Sequence, residues 1–296
     1  MTIRALLDSQ QPTLSFELFP PRTPEAQETL WDTMAHLAAV RPDFVSITYG
    51  ASGSTRTSSR DVVARLADEH TIRPLAHLTC VNASRSDVVG VIQEFLGEGV
   101  RDFLALRGDP PSGQPDWLPH PDGLLYAYQL VALIREVTAA HGLHEAEVSI
   151  GVTAFPAAHA NPQWREQGLE VLRAKQEAGA DFAVTQVFYE AAQYAALVAD
   201  AQSAGITLPI LPGIIPVPSA ARAVRLEQLT GVPTPEGLLA TLEAADGEEG
   251  ARAVGVEHAA ALTRAVLDAG APGVHIYTFN RHQAALELVA AAGLRP

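Results

Sequence analysis

Short apolar runs recur along the chain, separated by longer stretches whose apolar residues return at helical spacing. Strand side chains alternate faces and helix side chains revisit one face every three or four residues, so the two periods distinguish the elements. Strands are predicted at 14–19, 44–49, 74–79, 102–107, 147–155, 181–188, 208–215 and 273–279. Leu30, Met34 and Leu37 form the stripe of a core-facing helix, and Val88, Ile92, Phe95 and Leu96 repeat it. Gly99, Gly179, Gly205 and Gly270 each close such a stripe just before the next strand, where a left-handed residue ends a helix. Eight βα units in series predict an α/β fold with parallel strands, a (β/α)8 barrel of TIM type. A doubly wound sheet usually carries a glycine fingerprint after its first strand, but PPRTP stands there. GASGST at Gly50 fits neither the dinucleotide nor the P-loop pattern.

Two stretches break the rhythm. RGDPPSGQPDWLPHP from Arg107 is too long and too rich in Pro and Gly for an ordinary βα loop, and reads as a functional lid. Residues 231–250 read as an acidic, solvated insertion with a short extra helix. A single catalytic domain over residues 1–296 is expected, since a chain of 296 residues that is 47% hydrophobic can bury one sizeable core.

Charge and cysteine usage narrow the functional classes. A net charge of −14 without a basic cluster argues against nucleic acid as a partner. Cys80, the only cysteine, excludes an internal disulfide and a cysteine-based zinc site. No apolar run is long enough to span a membrane, and the polar start lacks a signal-peptide core, so a cytoplasmic protein is expected.

Candidate chemistry follows from the barrel, whose reaction site lies where the strands end and their loops converge. Glu17 interrupts an apolar strand and shares a face with Ser15 and Phe19. Burial raises a carboxyl pKa, so Glu17 is expected to hold its proton near neutral pH and act as a general acid, unless a buried Arg or Lys pairs with it. Ser46 pairs with Thr48 on the second strand and His77 with Thr79 on the third, while Arg107 and Asp109 end the fourth. Gln186 follows the sixth strand, and Asn280 with Arg281 the eighth, completing a polar ring at one barrel mouth. No His/Asp/Glu set has recognised metal-ligand spacing, so no metal is expected, and GxSxG is absent.

The blocks SFELFPPRTP at Ser15, FVSITYGASGSTR at Phe44, AHLTC at Ala76, LALRGDPP at Leu104, FAVTQVFYE at Phe182, LPGIIPV at Leu211 and YTFNR at Tyr277 closely resemble the methylenetetrahydrofolate reductases of bacterial type, catalytic domain only, in the family's order. The resemblance implies a barrel that binds FAD, takes a hydride from NADH or NADPH by ping-pong exchange, and reduces 5,10-methylenetetrahydrofolate to 5-methyltetrahydrofolate for methionine synthesis. It implies Glu17 as general acid and Asp109 as a catalytic contact to flavin and pterin. For cofactor contacts it points to Thr48, Tyr49, Ala51, His77, Arg107, Gly108, Asp109, Ala127, Phe155, His159 and Lys175. For substrate it points to Gln186, Arg222 and Arg281. A homo-oligomer is implied as well.

The match is least faithful after the fifth strand. Phe155 stands where the family usually has Tyr, Gly168 where an Asp commonly contacts the cofactor, and Val171 replaces a polar neighbour. Arg222 stands where Gln is frequent and Leu226 where Phe is. Each lost polar group removes hydrogen-bonding capacity toward FAD. Two alternatives therefore stay open: direct hydride transfer from the nicotinamide without flavin, and a non-catalytic folate-binding barrel. No ribose-reading motif separates NADH from NADPH.

Overall fold

The computed structural model describes residues 2–9, 11–21, 23–48, 62–63, 65–66, 72–109 and 118–295. Its strands are β1 (Thr13–Leu18), β2 (Phe44–Ile47), β3 (Arg73–Thr79), β4 (Asp102–Leu106), β5 (Ser149–Ala154), β6 (Phe182–Thr185), β7 (Ile210–Leu211), β8 (Gly213–Ile214) and β9 (Gly273–Tyr277). The helices described are α1 (Ile3–Leu7), α2 (Pro24–Ala38), α3 (Arg85–Gly97), α4 (Ala127–Ala140), α5 (Pro156–His159), α6 (Pro162–Glu177), α7 (Ala191–Ser203), α8 (Ala220–Thr230), α9 (Glu236–Ala244), α10 (Gly247–Asp268) and α11 (His282–Ala291). All strand pairings are parallel, in the order β7-β6-β5-β4-β3-β2-β1-β9-β8.

This is the expected α/β barrel, closed through a strand in two halves. β7 pairs with β6 and β8 with β9, and Pro212 separates them. Proline has no N–H to give a ladder, yet its carbonyl still accepts, here from His275 N at 2.9 Å. The other strands match their predicted spans to within a few residues. Glu147 instead ends a short 3-10 turn, and Phe155 caps α5, because the chain must turn before and after β5. Gly99, Gly179, Gly205 and Gly270 all have positive φ at the ends of helices, as expected.

The barrel interior is layered. Phe44, Leu75, Leu104, Phe182 and Leu211 point inward and form an apolar floor with Ile3 and Leu7 of α1. That helix plugs the N-terminal end: Ile3 N donates to Asp102 Oδ1 (3.0 Å), Arg4 N to Ser149 Oγ (3.0 Å), and the Arg4 guanidinium to the Asp181 carbonyl (2.7 Å). Burying Ile3 and Leu7 contributes roughly 1.5–3 kcal/mol each. The opposite strand face, including Phe16, Leu18, Ile47, Leu78 and Phe103, packs against the helices as the main core.

Residues 231–250 differ from the solvated insertion expected. Leu238 and Leu242, one turn apart on α9, are buried in a separate cluster with Val187, Tyr189, Ile215 and Leu226. Acidic composition hid that stripe, because the charges occupy only the outer face.

Candidate active site

Moving along the strands by one pleat replaces the apolar floor with polar side chains. Ser15 on β1, Ser46 on β2 and His275 on β9 form the next layer, all fully buried. The Ser15 hydroxyl donates to the Val274 carbonyl (3.1 Å), so its oxygen is left to accept from His275 Nδ1 (2.8 Å). In the neutral ring this sets the tautomer: Nδ1 carries the hydrogen, and Nε2 accepts from the Ser46 hydroxyl (3.1 Å).

Glu17 occupies the layer above, 8% exposed. Its Oε2 lies 3.7 Å from His77 Nε2 and 3.8 Å from His275 Nε2, while Thr48 Oγ1 donates to Oε1 at 3.4 Å. No buried Arg or Lys pairs with it among the described residues. Burial pushes the Glu17 pKa up, but His275, His77 and Thr48 together outweigh burial, and the net direction is down. That corrects the expectation of a carboxyl kept protonated by burial alone: His77 and His275 on two other strands and Thr48 just after a third, absent from the local sequence, reverse the sign. His77 is itself pushed down to about 4, first by burial, with Glu17 opposing. Its Nε2 has no hydrogen-bond partner. Tyr277, next to Glu17, donates to the Thr185 carbonyl across the barrel (2.7 Å), and burial followed by the Glu17 charge raises its pKa. The Thr278 hydroxyl fixes the Glu17 backbone by donating to its carbonyl (2.7 Å).

Beyond the ends of β3 and β4, a cleft of about 260 Å³ is lined by Cys80, Val81, Arg107, Gly108, His120 and Tyr126. Gly108 has φ +82°, and a Cβ there would meet Val81 Cγ1 at 2.5 Å, so only glycine fits this backbone. The exposed Arg107 places a fixed positive charge at this cleft. Burial pushes the Cys80 thiol up to about 11, which leaves it protonated and a poor nucleophile.

The structure thus holds a buried carboxylate flanked by two imidazoles inside the barrel, and a cleft with an arginine and a glycine-only turn beyond the ends of β3 and β4. Comparison with known proteins adds the decisive fact: the family model for methylenetetrahydrofolate reductase matches residues 2–293. The chain belongs to the methylenetetrahydrofolate reductase family. Members of this family are oxidoreductases. The chain is 32% identical to 5,10-methylenetetrahydrofolate reductase of Salmonella typhimurium, over 97% of this chain and 92% of that protein. Methylenetetrahydrofolate reductase (NADH) 1 of Arabidopsis thaliana is 31% identical, over 99% of this chain and 50% of that protein. Among solved structures, a Clostridium thermocellum protein described as binding two copies of 5-methyl-5,6,7,8-tetrahydrofolic acid shares the fold, with a TM-score of 0.65 at 15% identity over 99% of this chain and 97% of that one.

The remaining positions matched to methylenetetrahydrofolate reductases fall in different settings. Lys175 on α6 is neither solvated nor paired with a carboxylate among the described residues. It is 5% exposed, donates to the Thr153 carbonyl at 2.7 Å, and burial pushes its pKa down to about 8. Its Nζ lies 5.9 Å from the centre of the Phe155 ring, which is half exposed. His159 is buried and bonds Asp200 Oδ2 through Nε2 (2.9 Å), an oxygen also held by Arg165, while its Nδ1 has no partner. Ala127 is buried at the start of α4. Gln186, half-buried after β6, accepts from Val187 N (2.8 Å) through Oε1. Asp109, Arg222 and Arg281 are exposed, the last two at the beginnings of α8 and α11. Gly168 and Val171 are exposed on α6. Tyr49, Ala51 and the lid-like stretch 110–117 lie outside the described residues.

His275 is the residue that sequence reasoning missed. A signal was present: in the strand 273–279, alternation puts His275 and Tyr277 on one face, and a histidine two residues before a tyrosine in an apolar run marks an inward polar face.

Proposed function

We propose that this chain reduces 5,10-methylenetetrahydrofolate to 5-methyltetrahydrofolate with NADH or NADPH as electron donor, holding FAD at the barrel mouth and using Glu17 as proton donor. One observation carries the reading: a single carboxylate oxygen of Glu17 lies within 4 Å of two buried imidazole nitrogens inside the barrel.

The side chains present suit FAD. His77 Nε2 is buried and makes no hydrogen bond, Lys175 is a buried ammonium with no carboxylate among the described residues, and Gly108 leaves room where a Cβ would clash. Arg107 and Lys175 would neutralise the diphosphate, while Gly108 and His77 would approach the ring. Bound FAD would supply the hydride relay between nicotinamide and folate.

Glu17 then has one task, to hold and deliver a proton to folate nitrogen 10 so that the five-membered ring opens to a 5-iminium electrophile. His275 Nε2 and His77 Nε2 both face Glu17 Oε2 at distances too long for hydrogen bonds, so neither ring ties up the oxygen that must carry the proton. A substrate covering the mouth excludes water from the carboxylate and raises its pKa, so Glu17 takes up a proton from solvent as the site fills. Asp109 would stabilise the developing cation, and Gln186, Arg222 and Arg281 would bind the folate. A cytoplasmic homo-oligomer fits this role, and no helix among the described residues is long and apolar enough to cross a membrane.

The test is Glu17→Gln in purified protein, with the two half-reactions followed separately. Folate reduction should fall by roughly 10²–10⁴-fold while nicotinamide oxidation persists. Unchanged folate turnover would overturn the role of Glu17. A purified protein that turns over without flavin absorbance would favour direct hydride transfer.

A further inference from the structure

A second cluster lies on the outer surface, away from the barrel interior. Asp32 and His36 are four residues apart on α2 and so share a face, and His282 begins α11. One nitrogen of each imidazole and one Asp32 oxygen lie within 4.8 Å of one another. His36 Nδ1 is 3.6 Å from Asp32 Oδ1 and His282 Nδ1 is 3.8 Å from Asp32 Oδ2. The two imidazoles stack, with centres 4.0 Å apart and planes within 3°.

We propose that Asp32, His36 and His282 bind a divalent transition-metal ion, with zinc the closest match, clipping α2 to α11. Two imidazoles and a carboxylate are a zinc donor set, and the solvent-facing side leaves a position for water. Ligand atoms around a tetrahedral zinc sit about 3.4 Å apart, given bonds of about 2.0–2.1 Å, so the side chains must draw in and the two stacked imidazoles must rotate until their in-plane lone pairs converge on one point. They have the freedom to do so, being 61%, 50% and 29% exposed in the order named. His36 Nδ1 donates to the Asp32 carbonyl (2.8 Å) in this arrangement, so ligation by His36 would use Nε2, brought round by rotation of the ring.

The backbones that carry the ligands are already joined. Thr33 Oγ1 donates to the Asn280 carbonyl (3.0 Å), and the Asn280 side chain makes two 2.8 Å bonds to the Phe19 backbone. The ion would thus tie the first βα unit to the last, one residue beyond Arg281.

Chelator-treated protein titrated with zinc at pH 7.5 in a calorimeter should take up one ion per chain. His36→Ala and His282→Ala, both outside the barrel, should each weaken binding at least tenfold. The unfolding midpoint should rise with zinc in the unmodified protein and not in either variant. No zinc binding, or less than a tenfold loss in either variant, overturns the site.

Discussion

Ser15 and His275 occupy paired positions on neighbouring strands at the seam between the first and last βα units, with Oγ and Nδ1 2.8 Å apart. The contact orients the imidazole whose other nitrogen faces Glu17. His275→Ala leaves two buried serine hydroxyls without the ring and opens a cavity, so stability should fall by about 3 kcal/mol. Glu17 also loses a neighbour that lowers its pKa, and the apparent pKa reporting Glu17 should move up. Urea unfolding and a pH–rate profile check the two effects separately.

Acid should destabilise the fold well before general carboxylate protonation. Burial holds folded His77 at about 4 against an ordinary value of 6.5. Between these values the unfolded chain takes up a proton that folded His77 refuses, so stability falls as pH drops through that window and is restored above it. The full difference is on the order of 3 kcal/mol. Glu17, with its pKa also lowered, adds to the loss at the acid end. Unfolding free energies at pH 7 and pH 5 should differ less in His77→Gln, which does not titrate.

Lys175→Met keeps the length of the stem and removes the buried charge. The protein should fold, because no ion pair to Lys175 is broken among the described residues, but FAD should be held about ten- to a hundredfold more weakly. Fluorescence of flavin released on dilution measures this.

The plug at the barrel floor should matter for stability and not for catalysis. Ile3 is fully buried against the interior floor. Ile3→Ala should cost about 2–5 kcal/mol in urea unfolding, with the Michaelis constants unchanged.

Most of the fold was legible because barrel strands and helices announce themselves through periods contained within a few residues. The runs around Phe16, Val45, Leu78 and Phe103 needed no partner to be read as strands, and four glycines marked where helices stop. Glu17 stood out for the same reason, as a charge in an apolar run. The direction of its pKa did not, since that is decided by His77 and His275, which belong to other strands.

By itself, then, the sequence determined an alternating series of strands and helices, the placement of Glu17 on one strand face with Ser15, and, through ordered blocks, the family. Tertiary structure alone decided that Pro212 splits the closing strand, that α1 seals the floor, that two imidazoles meet one carboxylate oxygen, and that His282 comes to lie beside Asp32 and His36. The reason is physical. Periodicity is a local property of the chain, whereas a contact between distant residues exists only once strand register and barrel closure have set which side chains converge.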